Sequence, residues 1–333
     1  MLYSSRQIQW EEITKKISEI LYPLGFDLVK AFPIQRYNSN VSPASSLAPL
    51  PTYFRTSTLS IIVGNTKHLW PIFLKYYTKF QSVTNNTKTK PINAKCKSRS
   101  NSRIISSSYD QNNDLEIFKQ NNPLDWYTIQ SISSTIKQAI SINDDSIKYS
   151  DVKYDIRYTF DLDEKKFVAF QRLTQDAGLA YYNKSCFLCV HEEFGPWFGL
   201  RAVITFDIEG PPNESYLFPP LKNPYPEGDA LLKLKITEIL GTENHNYHQL
   251  VTPTHSSDSE LTEIKPVFDD DDKKKFMNSR DNAKWYEWVE LRDIASGFMT
   301  KDNLEKYRYS EEQIKYHYTH NLKFLQELCK KLG

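Results

Sequence analysis

Residues 165–206 read KKFVAFQRLTQDAGLAYYNKSCFLCVHEEFGPWFGLRAVITF, and this stretch decides the fold. Its first part is apolar-periodic and predicts a helix ending in Ala177-Gly178-Leu179-Ala180-Tyr181-Tyr182. The apolar run Cys186–His191 predicts a short strand. Phe194-Gly195-Pro196-Trp197-Phe198-Gly199 turns the chain, and Leu200-Arg201-Ala202-Val203-Ile204 starts a second strand. A helix and two strands so close together gather aromatic rings, small residues and one arginine at a single sheet edge. A large flat ligand needs such a surface.

Upstream, residues 7–22 carry Ile13, Ile17, Ile20 and Leu21 on one helical face, and Pro23 and Gly25 stop the helix. Phe26–Lys30 and Leu59–Val63 read as buried strands. A turn at Gly64-Asn65 leads into a helix from Leu69 to Phe80. Pro123-Leu124-Asp125-Trp126 opens another helix, reaching about Ile142, and Val152–Phe160 alternates as a strand does. Downstream, the chain is Pro-rich from Pro211 to Pro226. It is helical and aromatic around Trp285, Tyr286 and Trp288, and Ser310-Glu311-Glu312-Gln313 resembles a capping box that opens a last amphipathic helix. No internal repeat is visible.

Two segments break this regularity. Thr84–Arg103 has six Lys/Arg, no acid and few apolar residues, too few to offset the entropy of ordering. Residues 242–275 are polar and end in an Asp269–Lys275 charge run. Both predict solvated insertions, at about 81–118 and 242–275, in a single domain spanning 1–333. Alternating helices and strands then indicate an α+β fold with a mixed sheet flanked by helices.

Charge and cysteine content exclude several function classes. The 42 basic and 41 acidic residues nearly cancel, so no field steers nucleic acid or a membrane surface to the chain. No apolar run is long enough to span a membrane. Four cysteines do not form a disulfide framework, which points to a reducing, cytoplasmic setting. Cys186 and Cys189 share a C-x-x-C spacing, but a metal would need a second pair, and i, i+3 positions of a strand face opposite sides. No metal site is expected. His191 fits a structural role better than acid–base work, and the pairs His245/His248 and His317/His320 fall on a polar loop and a solvated helix. Phosphate loops, dinucleotide fingerprints and nucleophile elbows are absent from the sequence. Arg201 in an apolar strand and Arg292 after the aromatic run each call for an anionic partner. That partner is either a ligand or an internal acid such as Asp293 or Glu290.

Taken in order, these residues resemble the cblC (MMACHC-type) cobalamin-processing proteins. The resemblance runs through Leu21–Phe26, Arg36-Tyr37-Asn38, Leu47–Pro51 and Pro123-Leu124-Asp125. It is densest over Ala177–Tyr182 and Cys189–Arg201, and resumes at Trp285, Trp288, Leu291-Arg292-Asp293 and Tyr309–Gln313. It implies a nitroreductase-like α+β fold and two reactions on cobalamin held base-off. One is reductive decyanation by reduced flavin, FMN or FAD. The other is dealkylation by glutathione thiolate. It further implies a monomer or homodimer that hands its product to a downstream cobalamin-trafficking protein.

Carried over by position, the resemblance implies cobalamin contacts at Val168, Ala169, Phe170 and Gln171, at Tyr182, Asn183 and Lys184, and at Cys189 and Leu200. It implies that Arg201 and Arg292 hold the glutathione carboxylates. A third family arginine has no match; Lys323 is nearby. The chain departs from the pattern at Gln175, where the family has a histidine, and at Asn183, Lys184 and Pro196. A non-catalytic cobalamin carrier and a flavin reductase of another substrate are the alternatives.

Overall fold

The structure, a computed structural model, describes residues 9–41, 47, 49–86, 121–141, 152–161, 163, 166–240 and 285–332. Both predicted insertions fall almost wholly outside these residues, as do Cys96, His245, His248 and the Asp269–Lys275 run.

Helix α1 (Trp10–Leu21) buries Ile13, Ile17 and Leu21 along one stripe. Full burial of each such side chain is worth roughly 1.5–3 kcal/mol. A short 3-10 turn, Tyr22–Leu24, follows, and Gly25 closes it at φ +94°, a left-handed conformation that suits glycine. Strand β1 is Leu28–Pro33, displaced from the predicted Phe26–Lys30. A four-residue helix α2 (Gln35–Asn38) leads towards strand β2 (Thr58–Asn65), every residue of which is buried. Gly64 and Asn65 therefore belong to the strand and do not form the expected turn. Helix α3 (Leu69–Asn86) runs past Phe80, because Gln81–Asn86 remain compatible with a helical backbone once the first turns are nucleated.

Helix α4 (Pro123–Ser141) and strand β3 (Tyr154–Tyr158) lie where the sequence puts them. Helix α5 is shorter than predicted, Phe170–Asp176, and Val168 and Ala169 precede it. Tyr181–Asn183 is strand β4 and not the end of that helix; it pairs antiparallel with β5 (Leu188–Val190). Gly178, at φ +67°, breaks the helix, and the aromatic, β-favouring residues after it form a hairpin. Strand β6 is Gly199–Glu209. The C-terminal part holds α6 (Asp229–Leu240), α7 (Trp285–Ala295), α8 (Lys301–Tyr307), α9 (Glu311–Thr319) and α10 (Leu322–Leu332). Ser310 accepts the Gln313 N–H at 3.3 Å, as the cap predicts. The predicted single last helix is two helices, split at His320, which is left-handed at φ +47°.

The main sheet has the order β1-β2-β6-β3, and each of its pairings is antiparallel rather than mixed. Residues alternate between its two faces. Leu59, Ile61 and Val63 of β2, with Ala202, Ile204 and Phe206 of β6, face a layer of α1, α3, α4, α9 and α10. Ile62 and Val203 face the other way, onto Phe32, Tyr37, Leu173, Ala177 and Phe218. The fold is thus α+β, with a sheet covered on both faces. Among the described residues, no helix is long and apolar enough to cross a membrane.

Candidate functional site

A β-bulge sets which face of the sheet the neighbouring site residues Leu200 and Arg201 take. Val63 stands opposite Ala202 and Gly64 opposite Leu200, so Arg201 has no partner residue across the strand. An extra residue in one strand re-aims the side chains around it. Leu200 turns to the α5 side, where it packs with two apolar clusters. Arg201 turns to the helical side with Ala202, and lines a cleft with Leu69, Trp70, Leu124, Gln313, Tyr316 and His317. The bulge depends on a close approach. A Cβ at Gly64 would lie 2.7 Å from the Gly199 carbonyl oxygen.

On the α5 side, Cys189 and Leu200 pack with Leu28, Ala180, Phe194 and Phe198. The Cys189 thiol lies 3.6 Å from the Gln171 carbonyl oxygen, which joins β5 to the first turn of α5. Gln171 is exposed, whereas Val168 and Phe170 are buried beneath it, and the Ala169 N–H donates to the Tyr37 hydroxyl at 3.1 Å. Tyr182 and Asn183 are buried as well. The Asn183 side chain donates to Asp229 at 2.7 Å and accepts the Ser185 N–H, while Lys184 is exposed. The structure therefore joins Gln171, Cys189 and Leu200 at one surface and commits Asn183 to the α6 cap region. Lys30 lies on the same sheet face, and its Nζ donates to the Gly178 carbonyl at 2.6 Å.

Burial pushes the Cys189 thiol well above its usual range and Cys186 up to about 12. Neither is a ready thiolate nucleophile. Both are free thiols, and Cys186 sits in the hairpin turn ahead of β5. His191 stacks on Phe194 with centroids 3.6 Å apart and 6° between planes, and its Nδ1 accepts the Glu193 N–H. Burial lowers its pKa, which favours the neutral ring. Gln175, at the position where the resembled proteins have a histidine, accepts the Tyr182 N–H at 3.1 Å.

On the helical side, Arg201 Nε donates to Asn65 Oδ1 at 2.7 Å. Among the described residues, no hydrogen bond takes up its Nη nitrogens. Burial works against the Arg201 charge, while Tyr309, Asp125 and Tyr316 favour it. Asp125, in the first turn of α4, is pushed up to about 6 by burial, and the Arg201 charge draws it back down. Arg292 Nη1 donates to the Pro196 carbonyl at 2.9 Å, and its guanidinium lies 5.8 Å from the rings of Trp197 and Tyr318. Its Nε is buried with no hydrogen-bond partner among the described residues, and so is the Tyr309 hydroxyl. Both arginine charges act on that hydroxyl, which burial raises to about 12. Both arginines thus oppose the rise at Tyr309 electrostatically, and Arg201, unlike Arg292, lines the cleft.

Neither arginine uses the internal acids suggested by the sequence. Asp293 is taken by Arg308 at 2.8 Å and Glu290 by Lys235 at 2.6 Å. Three residues of this region escaped sequence reasoning. Asn65 reads as part of a turn, His317 as part of a solvated helix, and Arg308, 5.2 Å from the Trp197 ring, carries no signal. The exposed Lys323 on α10 supplies no third arginine.

No protein-family model matches this chain, and a search of curated proteins by sequence finds no match. Among solved structures, the chain is similar to the crystal structure of a B12-trafficking protein, CblC of C. elegans, described as a homologue of human MMACHC. Identity is 14%, the TM-score is 0.49, and 95% of each chain is covered.

Proposed function

We propose that this protein binds cobalamin base-off and removes its upper axial ligand. The observation that carries the reading is the meeting of Gln171, Cys189 and Leu200 at one half-buried apolar surface, drawn from three separate segments of sequence. Apolar walls with few polar groups suit the face of a wide macrocycle. Residues that bind base-off cobalamin favour reduction, because losing the lower nitrogen donor makes cobalt easier to reduce. Reduced flavin, FMN or FAD, would supply electrons for decyanation, and no residue here is assigned to it. The raised thiols of Cys186 and Cys189 fit a protein that draws its nucleophile from outside, as glutathione-dependent dealkylation requires. Arg201, whose Nη nitrogens take no hydrogen bond among the described residues, and Arg292, whose buried Nε has none, would suit the carboxylates of that thiol.

One observation favours the carrier alternative. The cleft at Arg201 has a volume of about 10 Å³, room for a single water, and must widen before a tripeptide enters.

A spectral titration tests both readings. Purified protein added to cyanocobalamin should move its absorbance to the base-off form, and reduced flavin without oxygen should then yield cob(II)alamin. A base-off shift with no reduction leaves a carrier. No spectral response to protein at all overturns the proposal.

A further inference from the structure

Arg201 is held by a chain of hydrogen bonds that begins outside the cleft. Asp27 accepts the Thr66 N–H at 2.7 Å through one carboxylate oxygen and the Thr66 hydroxyl at 2.5 Å through the other. The Thr66 carbonyl in turn accepts the Asn65 side-chain N–H at 2.7 Å. Donation to that carbonyl fixes which end of the amide is nitrogen, so Oδ1 must face Arg201, and it accepts Nε at 2.7 Å. Asn65 is fully buried at the end of β2. Gly199 makes room for the arrangement: a Cβ there would stand 3.2 Å from Asn65 Oδ1 and 3.3 Å from Arg201 Nη2.

A guanidinium has five donors in a rigid plane, and binding the one on Nε fixes where the other four point. In this protein Arg201 lines a cleft together with Gln313 and His317. A side chain pre-oriented in this way loses less entropy when it captures a carboxylate. Asn65 itself does not line the cleft.

We infer that Asn65, anchored by Asp27 through Thr66, is a positioning residue that presents the Arg201 Nη nitrogens to a carboxylate of the thiol co-substrate. The inference rests on the reading of Arg201 as a clamp for that co-substrate.

Two measurements test it, with glutathione as the probe. In protein labelled with 15N-arginine, the Arg201 Nε–H should exchange slowly in the wild type and faster in Asn65→Ala. In turnover, Asn65→Ala should raise the KM for glutathione about tenfold or more, with kcat and flavin-dependent decyanation close to wild type. Asp27→Asn loosens the same chain from its outer end. It should give a smaller KM rise, and it stands in should Asn65→Ala fail to fold. An unchanged Nε–H signal, or equal losses of dealkylation and decyanation, overturns the positioning role. If Nε–H exchange rises while Arg201→Ala leaves the glutathione KM untouched, Asn65 still positions Arg201, and the clamp reading is what fails.

Discussion

Gln175 Oε1 accepts the Tyr182 backbone N–H at 3.1 Å, so the side chain at the end of α5 closes the turn into β4. The glutamine thus does a structural task at the position where the resembled proteins carry a histidine. Gln175→Ala should cost about 1 kcal/mol of stability, the usual worth of one such bond, measured by urea denaturation. Cyanocobalamin affinity measured on the same variant separates the roles. A loss of affinity at unchanged stability would put Gln175 at the ligand instead.

Arg201→Ala should slow glutathione-dependent dealkylation far more than decyanation. Arg201→Lys should not restore it, because lysine has no Nε–H to give Asn65 and no second nitrogen to offer a carboxylate. Comparing the two reaction rates in each variant checks this. Equal slowing of both reactions would remove the clamp role.

The strand spacing that creates the bulge makes a separate prediction. Gly64→Ala puts a Cβ 2.7 Å from the Gly199 carbonyl oxygen in a region of rigid backbone. The cost should be at least about 2 kcal/mol, in the range of overpacked cores. A thermal melt close to wild type would mean that β2 and β6 move apart freely.

Asp176 titrates in a window set by burial. One carboxylate oxygen accepts from Asn40 at 2.8 Å and the other is buried without a partner among the described residues. Burial raises its pKa from 3.8 to about 6, although Asn40, Arg36, Arg172 and Lys184 oppose the rise. The folded state therefore holds this proton more tightly than the unfolded one. Its stabilising contribution is complete below about pH 4 and disappears as pH rises through about 6. Asp176→Asn should accordingly gain stability over wild type at pH 7–8, on the order of 1 kcal/mol after allowing for partial solvent exposure, and lose that gain by pH 4. Denaturation curves across this range decide it; a difference independent of pH would be the wrong result.

Trp197 is fully buried, and its Nε1–H donates to the Ser296 hydroxyl at 2.7 Å. Ser296→Ala leaves that donor unpaired in the core. The expected loss is about 1–3 kcal/mol, with a change in tryptophan emission, because the indole also supports Arg292 and Arg308. A variant as stable as wild type would show that water reaches the indole.

The sequence by itself settled the element types wherever a period persisted. The stripe Ile13, Ile17, Leu21 made α1, the capping residues Ser310 and Gln313 started α9, and the apolar run through Ala202–Ile204 made the core strand. Ordered motifs also marked Cys189, Leu200, Arg201 and Arg292 as worth locating. Tertiary structure decided where these side chains point. Neighbours such as Leu200 and Arg201 face opposite sides in any strand, but the single extra residue in β6 decides which side each takes, and it puts Arg201 beside Ala202 on the helical side. Asn65 reads as a turn former until β2 extends through it and places its amide against Arg201. Register and bulges arise from pairing between strands far apart in sequence, and local pattern carries no record of that pairing.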